Sequence, residues 1–134
     1  MKVVIDTNVV ISAALGSKTC SIAIFRALKQ GIIEPTIFPK ELRSFIIKLK
    51  EKDKYKSLDL QGLSNFTEYF IMMVEVVDDY KLVSFSIDTP DNHFISLAAA
   101  RKTLLITGDK LCLKSALSGN VKCKTPSQYL SDDL

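Results

Sequence analysis

The sequence is poor in cysteine, in net charge and in long apolar runs, and each shortage excludes a class of protein. Its three cysteines, Cys20, Cys112 and Cys123, are odd in number, widely spaced and without a C-x-x-C pair. Neither a disulfide framework nor a structural zinc site is therefore expected, and free thiols in a reducing compartment fit the pattern. Net charge is only +3, with an isoelectric point near 8.7. That is compatible with a polyanionic partner but far from the excess of a nucleic-acid coat protein. The opening apolar run Val3-Val4-Ile5 is cut off by Asp6, too early for a secretory core or a membrane span. A soluble, cytoplasmic protein with no membrane partner is expected. No repeat or low-complexity segment interrupts the chain. The single histidine, His93, stands beside a helix start, where an imidazole usually faces solvent, and it is left out of any site.

What is present is a chain of 134 residues, 47% hydrophobic, matching one domain over 1–134 that buries roughly two-thirds of its unfolded surface. Val3 to Ile5 reads as a buried strand running into a polar Asp-Thr-Asn turn. Ile24, Phe25 and Leu28 mark a helix from near Thr19 to just before Gly31, followed by a short strand around Ile33 to Phe38. Pro39 opens a second helix with Leu42, Phe45, Ile46 and Leu49 on one face, and Glu41 falls in its first turn. The charged stretch 48–56 marks that helix's end and an exposed connection. Leu60, Leu63, Phe66, Phe70 and Met73 suggest a third helix; Val74–Val77 and Leu82–Ile87 read as short strands, the second at an edge. Thr89-Pro90-Asp91 has the chemistry of a helix start, with Thr89 as N-cap. Leu104–Thr107 reads as a buried strand, Asp109 as the cap of a helix carrying Leu111, Leu113 and Leu117, and Val121–Lys124 as a last strand. Such alternation implies an α/β domain with a mostly parallel sheet and right-handed crossovers.

In open parallel sheets, ligands bind beyond the carboxyl ends of the strands. Asp6 and Asp109 both follow buried strands; Asp91 and Glu41, each near a helix start, could bring four carboxylates to one rim. Converging acids raise one another's pKa values unless protons or a cation compensate. An all-oxygen donor set favours magnesium or manganese.

These residues carry a family resemblance. Val3-Val4-Ile5-Asp6-Thr7-Asn8-Val9-Val10 resembles the opening strand and first acidic motif of PIN domains. Asp88 to Ala98 resembles the family's third-acid helix, and Leu104-Leu105-Ile106-Thr107-Gly108-Asp109-Lys110 its Thr-x-Asp strand end. Three motifs in order, over nearly the whole chain, resemble the VapC-like toxins of prokaryotic toxin-antitoxin systems. The resemblance implies a three-layer α/β/α fold with a mostly parallel central sheet and a metal-dependent ribonuclease leaving 5′-phosphate and 3′-hydroxyl ends. It implies that Asp6, Asp91 and Asp109 hold Mg2+ or Mn2+ and that Asn8 and Thr107 support them by hydrogen bonds. The second acid is Glu41 in Glu41-Leu42-Arg43-Ser44-Phe45-Ile46; a register three residues later would put Ser44 there instead. A homodimer and an antitoxin partner also follow from the resemblance.

Plainer readings stand beside these. Asp6 could simply end a strand, Asp91 and Asp109 could serve as helix-start residues, and Asp88 reads as a turn or outer-shell residue. Arg43 and the lysines at 48, 50, 52, 54 and 56 could grip an RNA backbone or form a solvated helix end. An aspartyl-phosphate phosphotransferase would need a second Asp where Asn8 stands. A non-catalytic PIN-like module that binds RNA or protein is the remaining alternative, and it turns on Glu41 against Ser44.

Overall fold

Val4 and Ile5 are wholly enclosed, as a β-branched run covered on both faces must be, and they form the central strand β1 (Val4–Ile5). The computed structural model describes residues 2–52, 54 and 58–131. The other strands are β2 (Ile33–Pro35), β3 (Glu75–Val77), β4 (Leu105–Ile106) and β5 (Cys123–Lys124). The helices described are α1 (Thr7–Ala14), α2 (Lys18–Gln30), α3 (Ile37–Lys50), α4 (Leu60–Met73), α5 (Thr89–Arg101), α6 (Lys110–Ser118) and α7 (Pro126–Ser131).

All described pairings are parallel. β1, β4 and β5 form one ladder, with Val4 opposite Leu105 and Leu105 opposite Cys123, and β2 pairs with β3. A single bridge, Val3 to Ile32, joins the two ladders into the order β3-β2-β1-β4-β5. Connections from β1 and β2 run outward on one side and those from β4 on the other, so the order reverses between β1 and β4. Right-handed crossovers then put α1–α4 on one face and α5–α6 on the other, giving the three-layer α/β/α arrangement. The helix contacts agree: α1 packs on α2 and α3, α3 on α4, and α5 on α6 and the central strands. Phe38, Phe70 and Phe94, all buried, meet with ring centroids 5.9 and 6.5 Å apart.

Several sequence expectations are met closely, including the helix before Gly31, the third helix and the strand after Val74. Others need correction. The polar Asp-Thr-Asn does not turn. The chain passes from β1 straight into α1, whose β-branched residues are poor helix formers but bury Val9 and Val10. The short helix α7 was not expected either. The second helix begins at Ile37, two residues before Pro39, which moves Glu41 from the first turn to the second. The N-cap of α5 is Asp88, not Thr89, and its side chain makes no capping hydrogen bond.

Leu82–Ile87 is not a strand. Its backbone is satisfied by side chains of α5: Asn92 Oδ1 accepts from the Phe85 and Ser86 amides at 2.8 Å, and Ser96 Oγ accepts from Val83. Asn92 Nδ2 also donates to the Ser86 carbonyl. Asn92→Ala is therefore expected to destabilise the fold by about 1–3 kcal/mol, the cost of stranding such groups, measured by urea unfolding. In the charged stretch, α3 ends at Lys50; residues 53 and 55–57 lie outside the described residues.

Candidate functional site

The point where strand order reverses opens a crevice at the carboxyl ends of β1 and β4. Asp6 follows β1 immediately and is the N-cap residue of α1; its carboxyl makes no capping hydrogen bond of normal geometry, although the nearby Asn8 amide favours its anion. Thr107 follows β4, and its hydroxyl donates to Asp6 Oδ2 at 2.7 Å while accepting from the Asp109 amide at 3.1 Å. Asp109 caps α6 through Leu111 N, and Asp91 lies in the first turn of α5. Three helix N-termini thus face one region, and their partial positive charge partly offsets the acids gathered there.

The cleft has a volume of about 510 Å3, and its walls include Asp6, Glu41, Asp88, Asp91 and Asp109. All four sequence-predicted acids line it, as does Asn8, whose Oδ1 lies 3.5 Å from the Gly108 amide. Thr107 is buried behind Asp6. Glu41 accepts from Thr7 Oγ1 at 2.8 Å, so the second turn of α3 delivers a carboxylate to the cleft. Ser44, almost one helical turn further on, lines the same wall. Asp88, which the sequence suggests as a turn or outer-shell residue, also lines the cleft, and one oxygen each from Asp88, Asp91 and Asp109 come within 4.8 Å of one another.

Without a cation these acids crowd together at a cost. Burial, then the charges of Glu41 and Asp109, raise Asp6 to about 6 against the lowering effect of the Thr107 and Asn8 hydrogen bonds. Burial followed by the charges of Asp6, Asp88, Asp109 and Glu41 raises Asp91 to about 7. Burial also raises Glu41 despite its bond from Thr7. Asp91 Oδ2 is buried with no hydrogen-bond partner among the described residues. A buried, unpartnered carboxylate oxygen amid mutually repelling acids suits a bound divalent cation, and oxygen donors suit a hard one.

Two features escaped the sequence reading. Glu34, wholly enclosed on β2, accepts from the Ile5 amide at 2.8 Å where the β1–β2 ladder would otherwise continue. Its carboxyl lies far above the ordinary range, first because of burial. An acid inside the apolar run before Pro35 was the available signal. The other feature is Cys112, the third residue of α6, fully buried beside Asp6 and Asp91.

Other expectations shift. His93 is half-buried, and its Nδ1 lies 2.9 Å from the Tyr80 hydroxyl, so it does not face solvent freely. Arg43 pairs with Glu68 through two hydrogen bonds of 2.9 Å, which engages it away from the cleft. Of the lysines considered, Lys48 lines the cleft, joined by Lys40. Lys56 falls outside the described residues.

The fold is a parallel α/β/α domain with an acid-lined cleft at its strand-order reversal, where groups of carboxylates could hold a metal ion. Residues 2–111 match the sequence profile of the PIN domain, and the chain belongs to the PIN-domain family. Its structure is similar to the crystal structure of VapBC2 from Rickettsia felis bound to a DNA fragment from their promoter. The TM-score is 0.66 at 16% identity, covering 93% of this chain and 98% of that one. A search of curated proteins found no match. No helix among the described residues is long and apolar enough to cross a membrane.

Proposed function

We propose that this PIN-domain chain is a metal-dependent endoribonuclease, the toxin component of a toxin-antitoxin pair. The observation carrying the reading is the meeting of Asp6, Glu41, Asp91 and Asp109 in one cleft, with Asp6 held by Thr107 and Asp91 Oδ2 unpartnered. These four carboxylates would hold Mg2+ or Mn2+. When bound, the ion supplies a Lewis acid for the scissile phosphate and a water of lowered pKa. Thr107 fixes the rotamer of Asp6, and Asn8, at the start of α1, reaches the Gly108 turn beside it. Lys40 and Lys48 supply positive charge along the α3 wall, opposite in sign to an RNA backbone. The carboxylate of Glu41 beside Ser44 favours this reading over a non-catalytic module with an incomplete acid set.

The antitoxin partner is supported by the similarity to a VapBC2 complex; a homodimer, a single domain over 1–134 and a cytoplasmic location belong to the same proposal. The purified chain is expected to cleave RNA with Mg2+ or Mn2+, leaving 5′-phosphate ends, and to stop when EDTA is added. Cleavage that persists in EDTA would overturn the assignment. Thr107→Val removes the bond to Asp6 but keeps the shape, and is expected to weaken metal affinity or activity by about 10- to 100-fold. Calorimetric titration with Mn2+ checks this, and an unchanged affinity would deny Thr107 its role.

A further inference from the structure

The acid cleft has an inner wall of different chemistry. Cys112 Sγ and one carboxylate oxygen each from Asp6 and Asp91 lie within 4.8 Å of one another, and all three residues are buried. Asp91 also carries the buried Oδ2 that no described residue satisfies. On the outer side Asp91 belongs to a second, all-oxygen group with Asp88 and Asp109. One carboxylate therefore stands between a hard donor set and a set containing sulfur.

From this geometry we propose a second, overlapping cation position, formed by Asp6, Asp91 and Cys112, that takes a thiophilic divalent ion such as Zn2+ or Cd2+. Oxygen and sulfur ligands around tetrahedral zinc, at about 2.0 and 2.3 Å, lie about 3.5 Å apart. Rotamer adjustments inside a 4.8 Å triangle reach that spacing. On binding, the Cys112 S–H bond breaks, the proton passes to solvent and the sulfur lone pair forms the metal–sulfur bond; no electron transfer is involved. Burial, and after it the charges of Asp6 and Asp91, oppose a thiolate there, and the charge of a directly bound ion offsets both. Thiolate selects soft ions, whereas Mg2+ and Mn2+ prefer oxygen. Because both positions use Asp91, a soft ion excludes the hard one, and Zn2+ or Cd2+ inhibits the nuclease. That last consequence alone rests on the proposed function.

The test is titration of the metal-free full chain with Cd2+, read by the ultraviolet sulfur-to-cadmium charge-transfer band. A band saturating near one equivalent is expected, lost in Cys112→Ala, kept in Cys20→Ala and Cys123→Ala, and requiring at least about tenfold more Cd2+ in Asp91→Asn. No band in the wild type, a band surviving Cys112→Ala, or indifference to Asp91→Asn would each overturn the site. If Cys112→Ala does not fold, cadmium NMR of the wild type replaces it. One sulfur with oxygens supports the site, and an all-oxygen or multi-sulfur set overturns it. A chain that gives the band but cleaves no RNA refutes the nuclease reading and leaves the thiol site standing; cleavage without the band does the reverse.

Discussion

Asp6→Asn is expected to abolish RNA cleavage, lowering activity by more than the roughly 100-fold typical of losing a supporting residue, while the fold persists. The amide preserves the shape of the side chain and its acceptor for Thr107 Oγ1, so the β1–β4 junction remains intact. What it removes is the negative charge at the corner where β1 meets α1. The same substitution is expected to raise the stability of the metal-free chain. A carboxyl displaced from 3.8 to about 6 costs the fold about 3 kcal/mol above pH 6. A neutral amide in its place carries no such cost. Lost activity together with a higher Tm in EDTA is the expected signature. Wild-type cleavage by the variant would point to a contaminating nuclease or a different site, and a collapsed fold would deny the electrostatic account.

A second large effect is the pH dependence of metal-free stability. Folding raises Asp6 to about 6 and Asp91 to about 7, and raises Glu41 as well. The folded state thus holds these protons more tightly than the unfolded chain does, so stability falls as pH rises from about 4 through about 7, and Glu34, raised far above the ordinary range by burial, extends the fall beyond it. Glu68 and Glu75, lowered by Arg43 and Lys2, act in the opposite sense, but these pairs are exposed and screened. Divalent metal must displace the same protons, so its stabilising effect is expected to be absent near pH 4 and full above pH 7. Thermal unfolding across this range, in EDTA and in excess Mn2+, checks both limbs. A Tm in EDTA that stays flat or rises through the window would show that the acids are not coupled as the cleft geometry implies.

The acids were legible in sequence for a local reason. Asp6 and Asp109 each follow a short β-branched or aliphatic run, and Asp91 follows Thr89-Pro90 at a helix start, so local pattern and turn chemistry place each near the same rim. Glu41 was less legible because its position depends on where α3 begins. Thr36 and Ile37, rather than Pro39, open that helix, and the shift decides which turn the carboxylate occupies. The helix α1 was hidden because TNVVISAA reads as a strand continuation or turn; its helicity comes from packing on α2 and α3. The apolar alternation of Leu82–Ile87 was misleading for a similar reason. No neighbouring strand is available there among the described residues, and Asn92 and Ser96 take over the backbone instead.

The linear chain by itself determined the alternation of strands and helices, the order of the acids and hence the family, because these follow from periodicity and from residues adjacent in the chain. Only the tertiary structure decided what stands beside the acids: Thr107 on Asp6, Thr7 on Glu41, Glu34 in the gap between β1 and β2, and Cys112 behind Asp91. Those neighbours join segments far apart in the chain, and the burial that raises Asp6 and Asp91 arises only when the strands and helices close around them.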